Sequence, residues 1–186
     1  MRIACIIPNV FEALGPGNRL IIWTQGCLKH CPGCISPEFK DINAVKDLDV
    51  IKFIEENKYK YYVSGVTISG GEPFLQKEEL LELVTYLSQT YDDIMIFSGM
   101  KYEELDQDPI CHQIFEKIAV LVDGEYVEEL NQNEKLRGSS NQRFIFFKEK
   151  YRERYEELNK KERDQVLFEI TPDSYYGVGL KKKVKI

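Results

Sequence analysis

Three cysteines within eight residues, Cys27, Cys31 and Cys34, constrain this chain more than any other feature. They lie in Gly26-Cys27-Leu28-Lys29-His30-Cys31-Pro32-Gly33-Cys34, directly after an Ile-rich run, residues 19–24, that reads as a strand. Pro32 and Gly33 disfavour a regular helix, so the segment is expected to be a loop that curls its sulfurs inward around a metal centre. Thiolates in such a set suit zinc or an iron–sulfur cluster. A structural zinc takes four protein ligands, commonly from paired cysteines, and here it would have to recruit His30, Cys5 or His112. A four-iron cubane takes one thiolate per iron, so three cysteines leave one iron open to an exogenous ligand. Spacing alone leaves both open, with the cluster the better fit. The isolated Cys5 and Cys111 read as small buried apolar residues.

Composition narrows the setting. With 186 residues the chain has material for one domain, and 43% hydrophobic residues are enough for a sizeable core. Twenty-five Lys and Arg against 31 Asp and Glu give a net charge of -6, so a nucleic-acid partner held by a broad basic surface is not expected. No apolar run approaches the roughly 20 residues that span a bilayer, and residues 1–10 lack the charged start and cleavage site of a signal peptide. The expectation is a soluble, cytoplasmic protein without a membrane partner.

Short β-like runs alternate with helix-like stretches. Residues 2–7, 19–24, 65–69, 94–97 and 118–122 read as strands, the last apolar enough to be buried on both faces. Gly15-Pro16-Gly17 reads as a turn. Residues 47–57 predict a helix with Asp47 as N-cap and Leu48, Ile51 and Ile54 on one face. Residues 77–91 predict a longer one burying Leu80, Leu81, Val84 and Leu87, and residues 109–117 a third. The alternation predicts an α/β fold, a mainly parallel open sheet with covering helices. After residue 144 the pattern changes to strands at 144–147 and 166–170 around a charged helix at 149–165. The chain finishes with Lys181, Lys182, Lys183 and Lys185, read as a solvated end, preceded by Tyr175 and Tyr176, read as packing residues.

A second motif bears on the cysteines. Val66-Thr67-Ile68-Ser69-Gly70-Gly71-Glu72-Pro73 is a strand that ends in two glycines, an acid and a proline. Adjacent glycines let a ligand approach the backbone, and Pro73 fits the first position of a helix. The combination resembles the radical S-adenosylmethionine superfamily, whose cluster motif CxxxCxxC is followed by a GGE-type strand end. Gly15-Pro16-Gly17-Asn18-Arg19, Leu121-Val122-Asp123-Gly124 and Arg137-Gly138-Ser139-Ser140-Asn141-Gln142 follow the order seen in its branch of activating proteins of anaerobic ribonucleoside-triphosphate reductase. The resemblance covers residues 9–143. It implies a core domain at 1–143 in the form of a partial (β/α) barrel, with residues 144–186 as an extension packed on the same domain.

The resemblance also implies chemistry. Cys27, Cys31 and Cys34 would hold a 4Fe–4S cluster whose fourth iron is chelated by S-adenosyl-L-methionine, cleaved reductively to a 5′-deoxyadenosyl radical. The backbone of Gly70, Gly71 and Glu72 would take the methionine ammonium, and that of Gly33, Cys34 and Ile35 would lie against the adenine. Ser98 is the candidate for the ribose, and Asp123, at the end of its strand, for the cofactor or an ion. The target would be a glycine Cα–H on the large subunit of a glycyl radical enzyme, with reduced flavodoxin or ferredoxin as electron donor. Another peptide, nucleotide or small-molecule substrate is the alternative. Residues 137–142 are expected to line a partner-facing mouth, with Arg137 on a carboxylate, or to form a hydrogen-bonded loop. His30 is expected to be an exposed loop residue.

Overall fold

Leu20 and Ile22 face one side of their strand, Ile21 and Trp23 the other, and all four are buried. Such a strand has to lie inside a sheet covered on both faces. The computed structural model, which describes residues 1–44, 49–57 and 60–163 and the backbone of 167–171 and 174–178, shows that sheet. It has six strands in the order β1 (Ile3–Phe11), β2 (Asn18–Thr24), β3 (Gly65–Gly70), β4 (Ile94–Phe97), β5 (Val120–Asp123) and β6 (Arg143–Phe146). Strands β2 to β5 are mutually parallel, as expected. Both outer strands run the other way, β1 against β2 and β6 against β5. The reason is connection length and content. Residues 12–17 are too few for a parallel crossover, which needs a dozen or more. Residues 124–142 hold only a single 3₁₀ turn, so no helix carries the chain back across the sheet before β6. The sheet is not closed.

On one face α2 (Lys77–Leu87) and α4 (Pro109–Phe115) cover Leu20, Ile22, Val66, Ile68, Ile94, Ile96 and Leu121. The face that α2 buries is Leu80, Leu83, Val84 and Leu87, with Leu81 only partly covered on its flank. Helix α1 (Val50–Asn57) departs further from expectation. Val50 and Ile54, four apart, are its buried stripe, whereas Ile51, about 100° round the helix from Val50, is 41% exposed. Asp47 and Leu48 lie outside the described residues. The one-turn α3 (Tyr102–Leu105) joins β4 to α4.

The opposite face carries two clusters. Ala4, Ile7, Val10 and Leu14 pack on Ile21 and Trp23, and Leu136, Tyr155 and Leu158 on Met95, Val120 and Val122. Tyr155 and Leu158 belong to α5 (Arg152–Lys160), shorter than the charged helix expected there. A boundary at 143/144 falls inside β6. The backbone of β7 (Leu167–Thr171) and β8 (Ser174–Val178) forms a separate antiparallel pair. The side chains of Tyr175 and Tyr176 and the whole of Lys181, Lys182, Lys183 and Lys185 lie outside the described residues. Among the described residues no helix is long and apolar enough to cross a membrane.

Candidate cluster and cofactor site

The carboxyl ends of β2 to β5 open at one end of the sheet, where α/β folds place ligands. The loop that follows β2 is closed at its neck: the Gly26 N–H donates to the Phe39 carbonyl at 2.8 Å and the Cys27 N–H to the Lys40 carbonyl at 3.0 Å. Inside this neck the chain doubles back at Pro32-Gly33, where the Cys34 N–H donates to the Cys31 carbonyl at 3.3 Å. Cys27, Cys31 and Cys34 are half-buried, and all three line one cavity of about 170 Å³. The same loop adds Gly33, Ile35, Lys29 and Lys40 to the lining.

The second wall is the end of β3. Its pairing with β2 runs on past the strand ends, with the Gly71 N–H on the Thr24 carbonyl at 2.9 Å and the Glu72 N–H on the Gly26 carbonyl at 2.8 Å. That pairing presses Gly70, Gly71 and Glu72 against the cysteine loop. Gly70 has φ +112°, a conformation suited to glycine. Gly71 is required for a different reason: a Cβ there would sit 2.2 Å from the Gly26 carbonyl oxygen, main chain against main chain.

Glu72 turns its carboxylate away from solvent, 5% exposed, and spends it on the scaffold. Oε1 accepts from the Phe74 N–H at 3.1 Å and the Ser98 hydroxyl at 2.9 Å, and Oε2 from the Gly99 N–H at 2.8 Å. Burial raises its pKa, opposed by these three donors and by Lys29. Pro73 occupies the first position of a 3₁₀ turn, Pro73–Gln76, capped by Glu72. Ser98 lines the cavity, with its proton committed to Glu72 while its oxygen accepts from the Met100 N–H at 3.0 Å. Asp123 is fully buried and is not part of the lining. It accepts from the Tyr102 N–H at 2.7 Å and is bridged by Arg143, and it is the next residue, Gly124, that reaches the cavity.

Burial pushes the Cys31 thiol up to about 11, helped by its hydrogen bond to Glu125 Oε1 at 3.2 Å, and burial likewise raises Cys27. A metal centre here therefore displaces protons as it binds. The alternative zinc ligands are elsewhere. Cys5 stands opposite Trp23 in the β1–β2 pair, and His112 lies on α4 with its ring bonded to the Asp106 carbonyl. His30 is exposed and outside the lining. Among the described residues no three His, Cys, Asp or Glu side chains converge on the site of a single metal ion. Three thiols on one cavity wall with a glycine-bared backbone opposite fit a larger inorganic group with a bound small molecule.

Part of the lining, Tyr126, Asn131 and Arg163, was not anticipated, whereas Gly138 and Gln142 come from the 137–142 segment expected at a mouth or in a loop. Tyr126, Asn131, Gly138, Gln142 and Arg163 complete the cavity. Gly138 and Gln142 belong to the 137–142 motif, which forms a hydrogen-bonded loop: Arg137 pairs with Glu134, and Gln142 Oε1 accepts from the Gly138 N–H at 2.7 Å. The signal for Tyr126 was its place two residues after Gly124; for Arg163 there was none.

The 4Fe–4S single cluster domain family matches residues 13–145. The chain is 31% identical over 140 residues to the anaerobic ribonucleoside-triphosphate reductase-activating protein of Escherichia coli strain K12, covering 69% of this chain and 88% of that protein. It is 29% identical over 135 residues to the protein of the same name from Enterobacteria phage T4, covering 69% and 84%. To the pyruvate formate-lyase-activating enzyme of Listeria monocytogenes strain EGD-e it is 40% identical over 76 residues, 38% of this chain and 31% of that enzyme.

Proposed function

The chain belongs to the 4Fe–4S single cluster domain family and, within it, to the activating proteins of anaerobic ribonucleoside-triphosphate reductase, and we propose that it installs a glycyl radical on such a reductase. In this reading Cys27, Cys31 and Cys34 hold a 4Fe–4S cluster whose fourth iron is left for S-adenosylmethionine. When bound, the two together supply a one-electron reduction that yields a 5′-deoxyadenosyl radical able to take a hydrogen atom from a glycine Cα. The observation that carries the reading is the shared cavity of three cysteines and the Gly70-Gly71-Glu72 turn.

The chain's own part is placement. The backbone of Gly70, Gly71 and Glu72 takes the methionine ammonium, while the Glu72 carboxylate, spent on Phe74, Ser98 and Gly99, keeps the turn rigid. Gly33, Cys34 and Ile35 lie against the adenine. Ser98 offers the ribose only its remaining lone pair. Asp123 acts through Arg143 and Tyr102 to hold the end of β5 in place. We read β2 to β5 with their helices as a partial (β/α) barrel, and residues 144–186 as an extension of the same domain. Because the sheet is not closed, its open side admits a glycine loop of a large partner. Reduced flavodoxin or ferredoxin is the expected electron donor.

The test is anaerobic incubation of iron- and sulfide-reconstituted protein with dithionite and S-adenosylmethionine. Formation of 5′-deoxyadenosine and methionine is expected, followed by an electron-resonance doublet when the reductase subunit is added. Stoichiometric zinc without acid-labile sulfide, or no 5′-deoxyadenosine, overturns the reading. Gly71→Ala is expected to lower this cleavage about 10²-fold, the scale of an ångström-sized displacement at a reacting centre, because its Cβ meets the Gly26 main chain. Gly99→Ala is the contrast, since its Cβ meets the Lys29 side chain, which can swing aside. Equal losses in the two variants would show that the Gly71–Gly26 contact does not set the geometry.

A further inference from the structure

The cofactor reading uses the cysteine loop and the ends of β3 and β4, and leaves the remaining lining without a role. Apart from Arg163, whose guanidinium is bonded to main-chain carbonyls, that part is Tyr126, Asn131, Gly138 and Gln142, which are neutral and tightly internally bonded. Gln142 Oε1 accepts from the Gly138 and Ser139 N–H groups, and its Nε2 donates to the Gly124 carbonyl at 2.8 Å. Asn131 Oδ1 accepts from the Asn133 N–H at 2.9 Å, which orients the amide so that its Nδ2 donates to the Tyr126 hydroxyl oxygen at 3.2 Å. Gly138 lies so close to the Tyr126 ring that a Cβ would come within 2.9 Å of it. The ring is thus held by a glycine beside it and an amide on its oxygen. A phenol has one proton to give, and among the described residues that of Tyr126 has no acceptor. The result is a fixed, uncharged donor at the cavity.

Resting on the function proposed above, we propose that the Tyr126 hydroxyl donates to a main-chain carbonyl of the polypeptide substrate next to its reacting glycine. A glycine offers no side chain to recognise, so the protein has only the flanking peptide groups to read. A neutral carbonyl is matched by a neutral donor. The cations of the lining are placed otherwise: Lys29 and Lys40 stand in the cysteine loop, and Arg163 donates to the Glu134 and Arg137 carbonyls. Preorganisation of the donor is what makes one hydrogen bond count, since no side-chain ordering has to accompany binding.

The experiment compares Tyr126→Phe with wild-type protein in two Michaelis constants, one for the reductase subunit in radical installation and one for S-adenosylmethionine in cleavage without the partner. The KM for the reductase is expected to rise about tenfold, the worth of one neutral hydrogen bond at the upper end, and that for S-adenosylmethionine to stay within about twofold. Asn131→Ala, which releases the ring without removing the hydroxyl, is expected to raise the reductase KM by a smaller factor. An equal rise in both constants overturns the proposal by placing Tyr126 on the nucleotide, and no change in either overturns it outright. Wild-type protein that makes no 5′-deoxyadenosine is a distinct result that removes the cofactor reading and this proposal together.

Discussion

Alanine at Cys27, Cys31 or Cys34, one at a time, is expected to abolish both iron–sulfur incorporation and S-adenosylmethionine cleavage, whereas alanine at Cys5 or Cys111 leaves both intact. The five thiols differ in place. The first three share one cavity, and its lining holds no other thiol and no histidine to substitute for a lost one. A cluster held by two protein sulfurs has two irons without protein ligands, so the single site for a chelating cofactor is lost. Cys111, 2% exposed, lies on the core-facing side of α4, and burial pushes its thiol up to about 11, which keeps it inert. Its replacement removes one buried sulfur, on the order of 1 kcal/mol of stability. Cys5, on β1 and half-buried rather than buried as expected, packs on the cluster of Ala4, Ile7 and Trp23, the last from β2. Iron and acid-labile sulfide assays with anaerobic turnover on the five variants distinguish the two groups. A Cys31→Ala protein that keeps its iron and its cleavage rate shows that the thiols are not the cluster ligands.

The same contrast explains what could be read from the amino-acid order. The cysteine loop, the glycine pair and Pro73 are local features, because turn chemistry and ligand type are carried by neighbouring residues. The parallel centre of the sheet was legible from apolar strands alternating with helices. The antiparallel β6 edge was not, since its direction depends on whether residues 124–142 form a crossover helix, and their polar, glycine-containing run states that only weakly. Partner choice among polar side chains was hidden as well. Ser98 sits at a strand end, where a ligand contact is expected, and its proton goes instead to Glu72, 26 residues away. Asp123 likewise meets Arg143 across the β5–β6 pair, a contact that exists only once β6 has returned. In α1 both Ile51 and Val50 are at helical spacing from Ile54, and the rotation of the helix on the sheet, which tertiary packing sets, buries Val50 rather than Ile51.

Arg19→Ala is expected to destabilise the fold by about 3–5 kcal/mol, the cost of leaving one member of a buried ion pair uncompensated. Arg19 is the second residue of β2, at the end of the sheet away from the cysteines, and is fully buried. All of its donors are used: Nε on the Thr67 hydroxyl at 2.7 Å, Nη1 on Asp93 Oδ2 at 2.8 Å and the Pro16 carbonyl at 3.5 Å, Nη2 on the Val66 carbonyl at 2.5 Å and the Asp93 carbonyl at 3.2 Å. Burial alone would lower its pKa, but Tyr155 and Asp93 beside it outweigh that and raise it, so the charge is retained. Gly15 of the Gly15-Pro16-Gly17-Asn18-Arg19 motif, together with Gly65, makes the room, since a Cβ on Gly15 would meet the Arg19 side chain at 2.6 Å and one on Gly65 would meet it at 2.5 Å. Tyr155 of α5 donates to Asp93 Oδ1 at 2.5 Å, which ties a helix beyond the matched family region into the centre of the fold. Arg19→Lys keeps the charge but loses the planar fork, so it recovers only part of the loss. Adding Asp93→Asn to Arg19→Ala removes the stranded carboxylate charge, and the double variant is expected to lose less than the sum of the two single losses. Urea unfolding of the wild-type protein, Arg19→Ala, Asp93→Asn, their double variant and Arg19→Lys measures this. A loss below about 1 kcal/mol in Arg19→Ala, the range of a solvent-exposed pair, would mean that water reaches Asp93 once the guanidinium is gone, and that the motif serves something other than this buried pair.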